Sequence, residues 1–172
     1  MRINKYSIVI LIILLSLGSC RKIEQLSNIP NIRFTSFTVF DTVTWLDDYK
    51  AGRLNFYFED GDGDLGLKEP SSGQTDTTNL FLTLFRKEGG IMVPVSGLDP
   101  MLPFPEYRIP YMVRLGQNKI LKGNISVIFL YDSDSPADTI RYDFTIKDRA
   151  LNESNTASTS EIVLFVNDIY TK

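Results

Sequence analysis

Three aspartates fall at alternate positions in the run Phe58-Glu59-Asp60-Gly61-Asp62-Gly63-Asp64-Leu65-Gly66. Carboxylates at i, i+2 and i+4, separated by glycines, put hard oxygen donors on a backbone that is free to curl. That chemistry suits Ca2+, which takes about 6–8 oxygen ligands. Without a cation, carboxylates this close repel one another. Asp-Gly pairs are also favoured turn formers, so a solvated acidic turn is the competing reading. Convergence of further ligands on Asp60, Asp62 and Asp64 would separate the two. The spacing is not that of an EF-hand, which would need glycine where Leu65 stands and a bidentate glutamate where Ser71 stands.

The elements that must position this loop read as strands. Leu54, Phe56 and Phe58 alternate with Asn55 and Tyr57, the period-2 mark of a half-buried strand. The same alternation runs through Leu80, Leu82 and Leu84, through Ile125, Val127 and Phe129, and through Ile140, Tyr142, Phe144 and Ile146. Gly89-Gly90 predicts a hairpin turn into Ile91–Val95. The expected strands are 31–41, 51–60, 78–87, 91–95, 121–132, 138–148 and 160–167. The stretch Ser96–Asn118 carries Pro100, Pro103, Pro105 and Pro110, which forbid a central strand. It reads as a long crossover with one short strand near Tyr111–Leu115. Seven short alternating strands predict an all-β, immunoglobulin-like antiparallel sandwich. In that topology the second-to-third and sixth-to-seventh connections share one end, so Asp148 and Asn152 are the expected partners of the acidic loop. Asp132 and Asp134 fall at the opposite end.

Two segments carry resemblances. The acidic run is similar to Asp-x-Asp-Gly-Asp loops at strand ends of extracellular β-sandwiches. Its F-x-D-G-D-G-D-L-G pattern resembles one met in uncharacterised Bacteroidetes outer-membrane lipoproteins. The stretch Asp148-Arg149-Ala150-Leu151-Asn152 resembles the Asp-x-Ala-Gly-Asn turn of bacterial immunoglobulin-like domains, with Leu151 in place of the glycine.

The first residues, MRINKYSIVILIILLSLGSC, form a basic start, an apolar run and a small-residue end, as in a secretory signal. Leu17-Gly18-Ser19-Cys20 resembles the lipobox of bacterial lipoproteins. The resemblance implies a diacylglyceryl thioether on Cys20 and cleavage after Ser19, which would tie the chain to the membrane through its lipid. Residues 1–19 are then a signal peptide, 20–30 a lipidated tether and 31–172 the domain. Arg21-Lys22-Ile23-Glu24 matches surface-export signals poorly, so both faces of the outer membrane remain open.

Composition narrows the chemistry. Of 172 residues, 153 remain after residues 1–19; losing Arg2 and Lys5 leaves 16 basic against 21 acidic residues, a net charge of −5. That balance argues against a nucleic-acid partner, which needs a basic surface. The chain has no histidine and one cysteine, which excludes Ser/His/Asp and Cys/His catalysis and any internal disulfide. Hydrolysis by paired carboxylates needs no histidine, but nothing in the spacing of Glu59, Glu106, Asp132 and Asp134 selects a pair. Trp45, Tyr49 and Tyr57, or Phe104, Tyr107 and Tyr111, could stack on a sugar. They serve equally well as core or cross-strand aromatics. The expectation is a non-catalytic, lipid-anchored envelope protein, a structural or ligand-binding module for an unknown protein or glycan, with Ca2+ stiffening one loop end. The alternatives are an accessory glycan-binding lipoprotein of a polysaccharide uptake system and, behind it, a hydrolase.

Overall fold

Alternating side chains fold into two antiparallel sheets packed face to face. A computed structural model describes residues 26–43, 48–73, 77–96, 102–113, 118–131 and 139–172. The strands are β1 (Asn31–Val43), β2 (Asp48–Asp60), β3 (Leu80–Glu88), β4 (Ile91–Pro94) and β5 (Glu106–Tyr107). They continue as β6 (Leu121–Tyr131), β7 (Thr139–Ile146), β8 (Ala157–Ser158), β9 (Ile162–Val163) and β10 (Ile169–Thr171). One sheet runs β10-β1-β2-β6 and the other β4-β3-β7-β8, with β5 added to β3 and β9 to β7. Cys20, Trp45, Asp132 and Asp134 lie outside the described residues. Among the described residues, no helix is long and apolar enough to cross a membrane.

The core lies between the sheets. Phe37, Leu54, Phe56, Phe129 and Tyr131 of the first sheet meet Leu80, Ile140, Tyr142, Phe144 and Ile146 of the second, all essentially out of solvent. Each buried apolar side chain of this size contributes about 1.5–3 kcal/mol. Rings interlock across the gap: Phe56 with Phe144 at 5.2 Å, Phe129 with Tyr142 at 5.4 Å and Phe37 with Tyr142 at 6.1 Å between centroids. The Tyr131 and Tyr142 hydroxyls, both buried, share a hydrogen bond of 2.9 Å across the sheets. That bond satisfies two groups that would otherwise be costly to bury.

Two departures from simple alternation have local causes. In β1 the inward residues switch from even (Ile32, Phe34) to odd (Phe37, Val39), because the pairing with β2 slips between Phe34 and Ser36. The bulge inserts one residue and re-phases the strand. Of the expected final strand at 160–167 only β9 forms; β8 precedes that range, and β10 follows it and pairs with the other sheet. The cause is a pair of hydroxyls that replace carbonyls in the ladder. Ser154 donates its N–H to Ile146 O and accepts the Ile146 N–H on Oγ. Thr159 does the same with Tyr142. Each hydroxyl lets the chain leave the regular register while β7 keeps its bonds.

The crossover also differs from expectation. Residues 111–113 are not a strand; the short strand is β5, which pairs with Leu80–Phe81 of β3. Pro105 and Pro110 bracket it and limit its length, since proline cannot donate to a ladder.

Candidate metal centre

Asp60 is the last residue of β2, and its position continues the inward series Leu54, Phe56, Phe58. The alternation that buries those side chains therefore buries a carboxylate, and Asp60 is 0% exposed. Its Oδ2 accepts the N–H of Leu65 at 2.8 Å. Leu65, itself fully buried in the core, pins the loop so that it curls back over Asp60. Gly63 and Gly66 take positive φ (65° and 92°) to allow the curl. At Gly66 a Cβ would also lie 2.5 Å from the Pro110 carbonyl oxygen.

The curl brings one carboxylate oxygen from each of Asp60, Asp62 and Asp64 within 4.8 Å of the others. Oxygens on one Ca2+ at about 2.4 Å can be no farther apart than about 4.8 Å, so the three fit a single ion. Oδ1 of Asp60 and Oδ1 of Asp64 are buried and accept no hydrogen bond. They face other carboxylates instead. Burial, then a hydrogen bond with Asp62 and the charges of Asp62 and Asp64, push the Asp60 carboxyl up to about 6, against the lowering effect of the Leu65 N–H. The Asp64 carboxyl is also raised, by burial first and then by Asp148 and Asp62, with Arg149 opposing. Two carboxylates can share a hydrogen bond only through a proton. The cluster thus has two ways to shed charge: it takes up a proton, or it holds a cation.

The turn after β7 reaches the same end. The Arg149 N–H meets the Asp64 carbonyl at 3.4 Å, and its guanidinium donates to the carbonyls of Gly66 (2.9 Å) and Leu65 (3.4 Å). The guanidinium also stacks on Tyr111, 5.1 Å from the ring centre. Asp148 is buried and close enough to Asp64 to raise its pKa. Its two oxygens accept the Asn152 N–H (2.8 Å) and the Asn152 side-chain amide (2.9 Å). Asp148 and Asn152 therefore come to the acidic loop, but they are bonded to each other rather than directed at the cluster of Asp60, Asp62 and Asp64. Leu151, standing where the resemblance has glycine, adopts a glycine-like φ of 67° and is 70% exposed.

Several residues at this end carry no signal in the sequence. Gly61 donates its N–H to Ser27 O at 2.8 Å, and a Cβ there would lie 2.4 Å from Leu26 O. The first described residues thus press directly on the acidic loop. Asn155 clamps the start of β1, accepting the Ile32 N–H (2.8 Å) and donating to Ile32 O (2.9 Å). Of the aromatic candidates, Phe104 is exposed, Tyr49 and Tyr57 are half-buried, and the Tyr107 ring turns inward to 5.1 Å from Phe129. Tyr111 stays exposed, with Arg149 and Lys68 lying 5.1 and 5.5 Å from its ring centre. Glu59 accepts from Tyr57 and Glu106 from Thr78.

No family model, no curated protein and no solved structure matches this chain.

Proposed function

We propose that this chain is a non-catalytic lipoprotein of the bacterial outer membrane, held by lipid on Cys20, whose sandwich binds Ca2+ through Asp60, Asp62 and Asp64. The observation that carries the metal reading is the buried Oδ1 of Asp60, which accepts no N–H hydrogen bond, on a side chain whose neighbours are two further carboxylates. An uncompensated carboxylate in the core costs several kcal/mol, and a cation removes that cost. Asp148 and Asn152 act behind the site: their mutual bonds shape the turn that carries Arg149 to the loop carbonyls. The finer reading of an immunoglobulin-like domain is supported by the strand order, β1-β2-β6 against β4-β3-β7-β8, a Greek-key pairing of two sheets. Its ligand would be a protein or a glycan met on the loops at one end of the sandwich.

The test of the metal reading is calorimetry of the chain from residue 21 onward, which keeps every described strand. Melting should shift upward in millimolar Ca2+ relative to chelator. An unchanged melting temperature would refute a stabilising site. For the anchor, Cys20→Ala should abolish palmitate labelling in a bacterial host, and label that survives the change would refute acylation at that thiol.

A further inference from the structure

The acidic loop and the start of the domain are the same place in the fold. The chain enters at Leu26 and Ser27, whose carbonyls press on Gly61 between Asp60 and Asp62. From Cys20 to Leu26 the backbone can span about 20 Å at most, at about 3.3–3.6 Å per residue. A lipid on Cys20 therefore holds this end of the sandwich close to the bilayer, and the Gly89-Gly90 hairpin at the other end away from it. Three monodentate aspartates supply about half of the shell a Ca2+ ion needs. Asp148 does not add to it in this arrangement: it is not in the group of carboxylates within 4.8 Å of one another, and its oxygens turn to Asn152. Two large apolar side chains flank the same end in solvent: Leu151, 70% exposed, and Ile29, 53% exposed.

We propose that this end is a membrane-docking surface, and that a Ca2+ ion on Asp60, Asp62 and Asp64 is completed by phosphate oxygens of anionic lipid headgroups. The proposal rests on the metal reading above and adds its partner. The electrostatics give the docking its sign. A cluster of carboxylates is repelled by an anionic surface within about 8–10 Å, the screening length at ordinary salt. A divalent ion takes the three carboxylates from −3 to −1, which removes most of that repulsion, and it offers its open positions to phosphate. Arg149 does not substitute for the ion, because its guanidinium is engaged by the Leu65 and Gly66 carbonyls and by Tyr111. Leu151 and Ile29 then enter the interfacial layer, where apolar side chains gain from partial burial.

The experiment uses the chain from residue 20 with Cys20→Ser, so that no acyl chain masks the headgroup contribution. Sedimentation with vesicles of equal phosphatidylglycerol and phosphatidylcholine is compared in about 1 mM Ca2+ and in chelator, a concentration range suited to extracellular sites. Binding is expected to rise at least about tenfold with Ca2+, to need phosphatidylglycerol, and to be lost in Asp62→Asn. Leu151→Ser should weaken it while leaving Ca2+ affinity, measured by titration calorimetry, unchanged. If Ca2+ binds but vesicle association is the same in chelator or on pure phosphatidylcholine, the docking proposal is overturned and the metal reading stands. If calorimetry finds no Ca2+ binding, both fall.

Discussion

In chelator, this protein should become more stable as the pH falls from about 7 to about 4, against the usual direction of acid unfolding. The Asp60 carboxyl stands at about 6 in the fold against 3.8 as its ordinary value, chiefly because it is buried. A folded-state pKa above the unfolded one means that the fold prefers the protonated acid. The stabilisation is fully present below about 3.8 and is lost as the pH rises through about 6. That interval corresponds to at most about 3 kcal/mol, because Asp62 and Asp64 beside it are only half-buried and water screens part of the effect. For a domain of this size, about 3 kcal/mol sets an upper limit of roughly 6–12 °C on the melting shift. Asp64, also raised, acts in the same direction. Asp41 is held low by Lys50 and Asn167, so its opposing effect falls at more acid pH. The assay is thermal or urea unfolding at a series of pH values, in chelator, for the wild type and for Asp60→Asn. The variant lacks the titrating group and should lose most of the pH trend. In saturating Ca2+ the wild-type trend should reverse, because protons then compete with the ion. Parallel wild-type and Asp60→Asn curves in chelator would refute the argument that this buried carboxyl is uncompensated.

Other substitutions probe the surroundings of the site and the core. Gly61→Ala places a methyl against the Leu26 and Ser27 carbonyls; it should cost about 1–3 kcal/mol and expose the peptide bonds before Pro30 to limited proteolysis. Leu151→Gly relieves a side chain held at φ 67° and should stabilise the domain by about 1 kcal/mol in urea unfolding. Tyr142→Phe leaves the buried Tyr131 hydroxyl without its 2.9 Å partner, at about 1–3 kcal/mol, whereas Tyr131→Phe with Tyr142→Phe should recover much of that loss. A double-mutant cycle showing simple additivity would exclude the shared bond.

Much of the sandwich was legible in the chain because period-2 burial is local information. The residues Leu54, Phe56 and Phe58 announce which face of β2 is inward, and the same count places Asp60 inside. Gly89-Gly90 announces its hairpin, and both take positive φ (57° and 87°). The bulge in β1 is visible in retrospect as the switch from Phe34 to Phe37, which no unbroken strand can bury on one side. What local pattern could not supply was the breakdown of the last strand. Ser154 and Thr159 read as ordinary polar residues of the connection between two strands until β7 is in place to share their hydroxyls.

The acidic loop shows the same division. Residue types and spacing alone place three carboxylates in one turn, and leave a Ca2+ loop and a solvated acidic turn as the alternatives. Chain order alone brings Asp148 and Asn152 to the same end. Only the tertiary structure decides that Asp148 is bonded to Asn152 instead of the cluster, that Arg149 braces the loop through its carbonyls, and that the start of the domain rests on Gly61. The physical reason is range. Alternation and repulsion act between near neighbours in the chain, whereas Leu26 against Gly61, and Asp64 against Arg149, are contacts that exist only after the sheets have packed.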